Sequence, residues 1–410
     1  MIFIQIAAYR DPELLPTIVD CLAKAKYKND LTFGICWQRH EADRSLDPLR
    51  DLSNFRIDDI SWQKSEGLCW ARSRIQRLYN NEEFTLQLDS HHRFIEHWDE
   101  KLLKTLEQTG SEKPILTSYA GIYEPRTGEK KGIEPFKMVA DRFTNSGTIL
   151  FRPHVICGWE DLKEPVRARF VSGHFFFTLG KHCTEYAYDP KLYFAGDEIS
   201  LSIRSFTLGY DLFHPIETVI WHEYTREGRV KHWDDHVGEN REQVGTLWHE
   251  RDVVSKCRLR KLLREEDNEE NIDGYGLGSI RSHHEYELYA GIDFGRRRLH
   301  VEARRGDEPP CTFLSTEQWE ESLASTRNIL LKWECDDLEN CDDLNFIYFG
   351  VEDEEGTVLY RYDAKPDSAE GKLLTEERNI EFDTTSTPAR LVVWPVSHSR
   401  GWLRKVVYNL

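Results

Sequence analysis

The 410-residue chain is acidic: 54 Lys and Arg against 72 Asp and Glu leave a formal net charge of −18. That balance excludes a general field for nucleic acid or an anionic membrane, and leaves room only for a local basic site. Hydrophobic residues at 39%, with 12 Trp, 17 Tyr and 20 Phe, exclude a disordered chain and favour deep, aromatic-lined pockets.

In chain order, Phe3–Ala7 is an apolar run that ends in Tyr9, Arg10 and Asp11, as a buried parallel strand does. It reads as a first strand rather than a signal peptide, because no basic segment precedes it and Asp11 and Pro12 follow at once. A helix is predicted from Pro12 to Lys26, a strand over Thr32–Trp37, a helix over Glu66–Tyr79, a strand over Phe84–Leu88 closing on Asp89, and a helix over Trp98–Leu106. This alternation predicts a parallel sheet with helices on both faces, whose ligands bind beyond the carboxyl ends of the strands. Tyr9, Arg10, Gln38 and Asp89 fall at such ends.

Residues 114–180 read as mixed strands and loops, including Gly147–Phe151 and Phe170–Leu179. A helix over Asp197–Ser205 and extended chain over Tyr210–His222 follow. Residues 228–295 form a polar, partly helical extension, with a charged helix near Arg251–Glu266 and a candidate boundary at Gly274–Gly278. From 297 to 410, Leu299–Ala303, Ile329–Glu334, Phe346–Glu352, Val358–Tyr362 and Leu391–Pro395 look like short strands of a small β-sandwich-like accessory domain. No run reaches the roughly 18 apolar residues of a membrane span. The nine cysteines are scattered without a Cys-x-x-Cys, which fits reduced thiols in a cytoplasmic protein; Cys335 and Cys341 could bridge, but read better as two unrelated thiols.

The chemistry concentrates in four places. In Leu86-Gln87-Leu88-Asp89-Ser90-His91 a strand ends in Asp-x-His, so Asp89 and His91 project the same way and can share a divalent cation. A carboxylate with an imidazole suits Mn²⁺ or another borderline metal better than Ca²⁺. Gly67 opens a helix that carries Arg72 one turn in, an arrangement suited to phosphate. Gly196-Asp197-Glu198 starts another helix with two acids, favoured there by the dipole and facing the site. Finally, Val219-Ile220-Trp221-His222 ends a strand on a third potential metal ligand, and Arg226 four residues on could grip a phosphate.

Taken together, Tyr9-Arg10-Asp11-Pro12, Cys36-Trp37-Gln38, Asp89-Ser90-His91-x-Arg93-Phe94, Gly196-Asp197-Glu198 and His222-x-Tyr224-Thr225-Arg226 resemble the GlcNAc-transferase family over roughly residues 1–295. The best-known members of that family are cytoplasmic enzymes that attach GlcNAc to hydroxyproline of a ubiquitin-ligase adaptor. More distantly the same pieces resemble the mucin-type polypeptide GalNAc-transferases. The resemblance implies an α/β fold of GT-A type, a Rossmann-like nucleotide-diphospho-sugar transferase domain, and retention of anomeric configuration. It implies Mn²⁺ (or Mg²⁺) on Asp89, His91 and His222, and UDP contacts from Arg72 and Arg226. Ala7, Tyr9, Arg10 and Gln38 would line the uridine pocket. Gly173 and His174 would face the sugar, and Asp197 and Glu198, the catalytic residues, would sit by the donor sugar and acceptor, stabilising positive charge on the ring or, more simply, orienting sugar hydroxyls.

The expected activity is transfer of GlcNAc from UDP-GlcNAc to a hydroxyl on a protein, peptide or glycan acceptor, with an oligomer possible. Another UDP-sugar is the nearest alternative, since donor choice rests on a few contacts to one hydroxyl or to the acetamide. An Fe(II) oxygenase also uses two His and a carboxylate, but its motif usually runs His-x-Asp on a β-barrel. A non-catalytic sugar-binding protein is the third reading, compatible with the Trp content and the β-rich C-terminus.

Overall fold

The structure, a computed structural model, describes residues 1–144, 146–225, 228–264, 272–323, 325–334, 338–339, 341–365 and 377–410. Two compact units divide the chain: Met1–Arg297 with Glu302–Cys311, and Arg298–Val301 with Thr312–Leu410.

The first unit is built on an eight-stranded sheet. Four parallel strands lead it: β1 (Ile2–Tyr9), β2 (Leu31–Arg39), β3 (Phe55–Ser61) and β4 (Phe84–Asp89), with β1 between β2 and β4 and β3 at the edge. Beyond β4 come Phe175–Leu179, Pro114–Thr117, Asp211–His214 and Val166–Arg167. β1 reads Ile-Phe-Ile-Gln-Ile-Ala-Ala-Tyr, apolar on both faces, because each face is covered. Ile4, Ile6, Phe33, Ile35, Leu86 and Leu88 pack with Ile18 and Trp98 in one core, while Phe3 and Cys36 face Ala71 and Ile75 on the other side. Burial of this kind stabilises by roughly 25 cal/mol per Å² of apolar surface.

The alternating opening is observed, and the later strands modify it. Phe175–Leu179 runs antiparallel to both neighbours, so the sheet is mixed rather than wholly parallel. β3 had no predicted counterpart. Its Arg56, Asp58 and Asp59 suppress an apolar signal, yet an edge strand tolerates charge, and Asp59 and Asp58 pair with Arg39 (2.9 Å) and Arg74 (2.5 Å). The predicted Phe170–Leu179 strand begins only at Phe175. Tyr210–His222 is two strands in different sheets, Asp211–His214 and Ile220–His222. The charged helix spans Trp248–Leu262. Gly274–Gly278 lies within the first unit, where Gly278 donates its N–H to Thr207 Oγ1 (2.9 Å) and passes so close to the Thr207 backbone that a Cβ would collide at 2.5 Å. Gly278 thus serves close packing against the end of a helix.

A smaller sheet of four strands, in the order His92–Phe94, Ile220–His222, Gly121–Glu124 and Glu129–Lys131, lies just past β4 in the chain. In it His222 is the direct partner of His92.

In the second unit, a two-stranded sheet (Ser325–Lys332 with Glu377–Thr384) and a five-stranded sheet led by Leu344–Glu352 and Arg390–Ser397 share a core of Leu331, Trp333, Ile347, Phe349, Val351, Leu391 and Val393. The predicted strand Leu299–Ala303 is instead a two-residue strand, Arg298–Leu299, followed by the short helix Val301–Arg305. The eight described cysteines are free thiols, and Cys335 lies outside the described residues. Among the described residues, no helix is long and apolar enough to cross a membrane.

Candidate functional site

The carboxyl ends of β1, β2 and β4 form one wall of a cleft. Parallel register fixes this, since Ala7 pairs with Asp89 and Tyr9 with Gln38. Ala7, Tyr9, Gln38, Gly67 and Tyr193 line the cleft. Gln38 is buried and held through both ends of its amide: its Nε2 donates to the Ala8 carbonyl (3.3 Å), and Ser65 Oγ donates to its Oε1 (2.5 Å). Tyr9 donates its hydroxyl to Asp235 (2.8 Å), and burial together with that carboxylate raises the phenol's pKa. Arg10, in the left-handed region at φ 48°, donates to the same carboxylate (2.7 Å). Asp235 therefore anchors the 228–236 segment against the strand tip, and His232 and Trp233 of that segment reach the cleft.

Where the cleft meets the tip of β4, Asp89, His91 and His222 come together with one ligand atom each inside 4.8 Å of the others. Nε2 of His222 is 3.5 Å and Nε2 of His91 is 3.8 Å from Oδ2 of Asp89. The distance in sequence is bridged by the small sheet: pairing of His222 with His92 delivers it beside His91. Burial works against ionisation of Asp89, but the His222 contact and the nearby His91 and Arg72 outweigh it and hold the carboxyl well below its usual range. Burial and the neighbouring His91 keep His222 neutral. Both ring nitrogens of His222 are buried with no partner in hydrogen-bond geometry among the described residues. A buried imidazole left bare beside an anionic carboxylate and a second imidazole is costly unless something fills the gap, and a borderline divalent cation fits that donor set.

Behind these ligands Arg72, on the helix Leu68–Gln76, is buried. It makes a tight ion pair with Asp197, lies 3.4 Å from Oδ1 of Asp89 and donates to the Gly173 carbonyl at 2.5 Å. Its guanidinium thus ties the Asp197 helix, the 173 loop and the tip of β4 into one unit. Gly173 is required here, because a Cβ would stand 2.8 Å from the Asp197 carboxylate. Glu198 accepts from the Gly173 N–H (3.0 Å) and from Tyr119 Oη (3.2 Å). Burial raises its carboxyl to about 7, so it is close to half protonated at neutral pH. His174 turns inward, shares a hydrogen bond with Ser172 Oγ (2.9 Å) and packs its ring on His222 at 4.6 Å.

Of the residues singled out from sequence, Asp89, His91 and His222 converge. Ala7, Tyr9 and Gln38 form the adjoining wall, and Asp197, Glu198, Arg72, Gly173 and His174 form the layer behind. Arg226 lies outside the described residues. Three participants had not been assigned a role. Asp11, in the Tyr-Arg-Asp-Pro run, accepts from His91; Tyr119 meets Glu198; and Arg229 lines the cleft. For Asp11 the adjacent motif was a usable signal, whereas Arg229 sits in polar sequence with none.

A family model described as Glycosyltransferase (GlcNAc) matches residues 1–52 and 44–296. No curated protein matches the chain. Among solved structures, GalNAc-T7 with UDP, GalNAc and Mn²⁺ is similar at TM-score 0.47 and 16% identity, over 70% of this chain and 54% of that one. S. aureus TarS 1-349 in complex with UDP is similar at TM-score 0.37 and 12% identity, over 55% of this chain and 61% of that one. The same TarS fragment in complex with UDP-GlcNAc is similar at TM-score 0.36 and 11% identity, over 56% and 59%. The chain thus matches little more than half the length of these proteins.

Proposed function

The chain belongs to the GlcNAc glycosyltransferase family, and from that premise we propose that it is a Mn²⁺-dependent (or Mg²⁺-dependent) retaining transferase. It moves GlcNAc from UDP-GlcNAc to a hydroxyl on a protein or peptide in the cytosol. The observation that carries the metal part is the convergence of Asp89 and the buried His91 and His222 at the cleft. The same three ligands would suit Fe(II), and family membership argues against the oxygenase reading.

In this reading Asp89, His91 and His222 hold the cation, whose charge would stabilise the departing diphosphate. Tyr9 and Gln38 receive the uridine, and Ala7 gives it a close approach to β1. Arg72 holds Asp197 and Asp89 in place, and Arg226 is proposed as a further diphosphate contact. The acceptor hydroxyl attacks the anomeric carbon from the side UDP leaves; the sugar–phosphate C–O bond breaks, and the hydroxyl proton passes to the departing phosphate. No protein nucleophile is needed. Glu198, near neutrality, is suited to orienting sugar hydroxyls through hydrogen bonds, and Asp197, ion-paired with Arg72, adds a carboxylate beside it.

The test is a panel of UDP-sugars with Mn²⁺ or with chelator, scored for UDP release with and without cell extract. Mn²⁺-dependent release selective for UDP-GlcNAc and enhanced by extract is expected. Release indifferent to chelator would overturn the metal reading, and selectivity for another UDP-sugar would overturn the donor.

A further inference from the structure

In the second unit, the strands of the five-stranded sheet turn alternate residues to opposite faces. Ile347, Phe349 and Val351 of the strand Leu344–Glu352, with Leu391 and Val393 of Arg390–Ser397, enter the core. Register therefore puts Phe346, Tyr348, Val392, Trp394 and Val396 on the other face, where Val396 pairs with Trp402. The outer face of a sandwich is ordinarily polar, and this one is aromatic.

Its rings are held in place. Trp402 lies 4.4 Å from Trp394 at an interplanar angle of 47°, and meets Phe346 (5.9 Å) and Tyr348 (6.0 Å) edge-on. Tyr348 folds along the sheet over Gly350, where a Cβ would stand 2.3 Å from its hydroxyl. Trp394 Nε1 donates to the Leu403 carbonyl at 2.7 Å. Even so, Trp402 remains 49% exposed, which leaves roughly 100 Å² of indole open. Charged pairs edge the rings. Arg361, over Tyr348 at 5.2 Å, is bidentate with Asp363 (3.0 and 2.8 Å), and Lys405, over Trp394 at 5.6 Å, lies 3.8 Å from Glu352.

Two features select the occupant. The open aromatic surface falls far short of the roughly 800 Å² per partner that a stable protein interface buries, which argues against a second copy or another protein. A rigid ring face bordered by fixed donors and acceptors matches a pyranose, whose C–H face is apolar and whose perimeter carries hydroxyls. Equatorial hydroxyls leave that face unobstructed, as in the gluco configuration. We propose that the Trp394–Trp402 face binds a gluco-configured oligosaccharide, one sugar ring stacking on the indoles and its hydroxyls reaching the Arg361–Asp363 and Lys405–Glu352 pairs. No group of the cleft takes part, so the proposal stands apart from the transferase reading.

The test titrates the full chain with N-acetylchitotriose and with cellotriose, followed by calorimetry and saturation-transfer NMR. Binding of at least one is expected. Trp402→Ala should weaken it by about tenfold or more, and Trp402→Tyr, which keeps an aromatic face, should restore most of it. If Trp402→Ala does not fold, Arg361→Ala at the exposed rim decides, with an expected loss of about threefold or more. No binding of either sugar, wild-type affinity in the deciding variant, or the same loss in Trp402→Tyr as in Trp402→Ala would overturn the proposal. Dimerisation that Trp402→Ala abolishes, seen by sedimentation without sugar binding, would assign the face to a second copy instead. Mn²⁺-dependent UDP release should be unchanged in Trp402→Ala, so sugar binding lost with release intact places the sugar on this face. A wild type that releases no UDP overturns the transferase reading alone.

Discussion

At the scale of single residues, Asp89 carries the most weight. It is the anionic member of the proposed ligand trio and also a partner of the buried Arg72. Asp89→Asn keeps the shape and removes the charge, so donor hydrolysis is expected to fall by about 10²-fold or more while far-UV circular dichroism is unchanged; full activity in that variant would refute the assignment. Glu198 gives a pH signature. Its folded pKa near 7 lies above the ordinary 4.5, so the native state binds more protons between those values. The stability linked to this group is therefore fully present below about pH 4.5 and lost as pH rises through 7. Glu198→Gln, permanently neutral, should match the wild type near pH 4.5 and exceed it at pH 8 by about 1–3 kcal/mol, read as the difference between denaturant unfolding curves. If Glu198 only orients the sugar, Glu198→Gln should also keep activity within about tenfold, with Glu198→Ala losing more.

At the scale of elements, the site depends on how two helices and two sheets end. The helix Asp197–Thr207 starts after Gly196, which has φ 90°, and a Cβ there would meet Leu259 at 2.3 Å. Gly196→Ala combines backbone strain with a clash on a packed helix, and should destabilise by about 1–3 kcal/mol. Because the displaced turn carries Asp197 and Glu198, transfer should fall more than UDP binding does, a split that steady-state kinetics against calorimetry would reveal. The elements also show what could be read in advance. β1, β2 and β4 are apolar on both faces and announce themselves. β3 is an edge strand with three charges and does not. The short strand Ile220–His222 was legible as extended chain, but nothing local says that it leaves the main sheet to pair with His92.

At the scale of the molecule, each unit has its own core, and the family match ends at residue 296, near the close of the first. A chain spanning Met1–Cys311 is therefore expected to unfold cooperatively and to bind UDP as the full chain does, since compact units with separate cores fold largely independently. Loss of UDP binding in a truncated chain that still folds would assign the 312–410 unit a part in the donor site.

The sequence by itself determined the alternating α/β opening, the β-rich end, the family and the candidate site residues. Those follow from local patterns, in which apolar runs of strand or helix period end in residues able to bind metal or phosphate. Tertiary structure decided which of them meet. Asp89 and His222 are neighbours because Ile220–His222 pairs in the small sheet and not in the main one. Arg72 is sealed beneath the ligands because the 173 loop closes over it. Asp11 and Arg229 reach one imidazole only through folding. Pairwise geometry between distant segments is set by sheet register and packing, which no short stretch of the chain encodes.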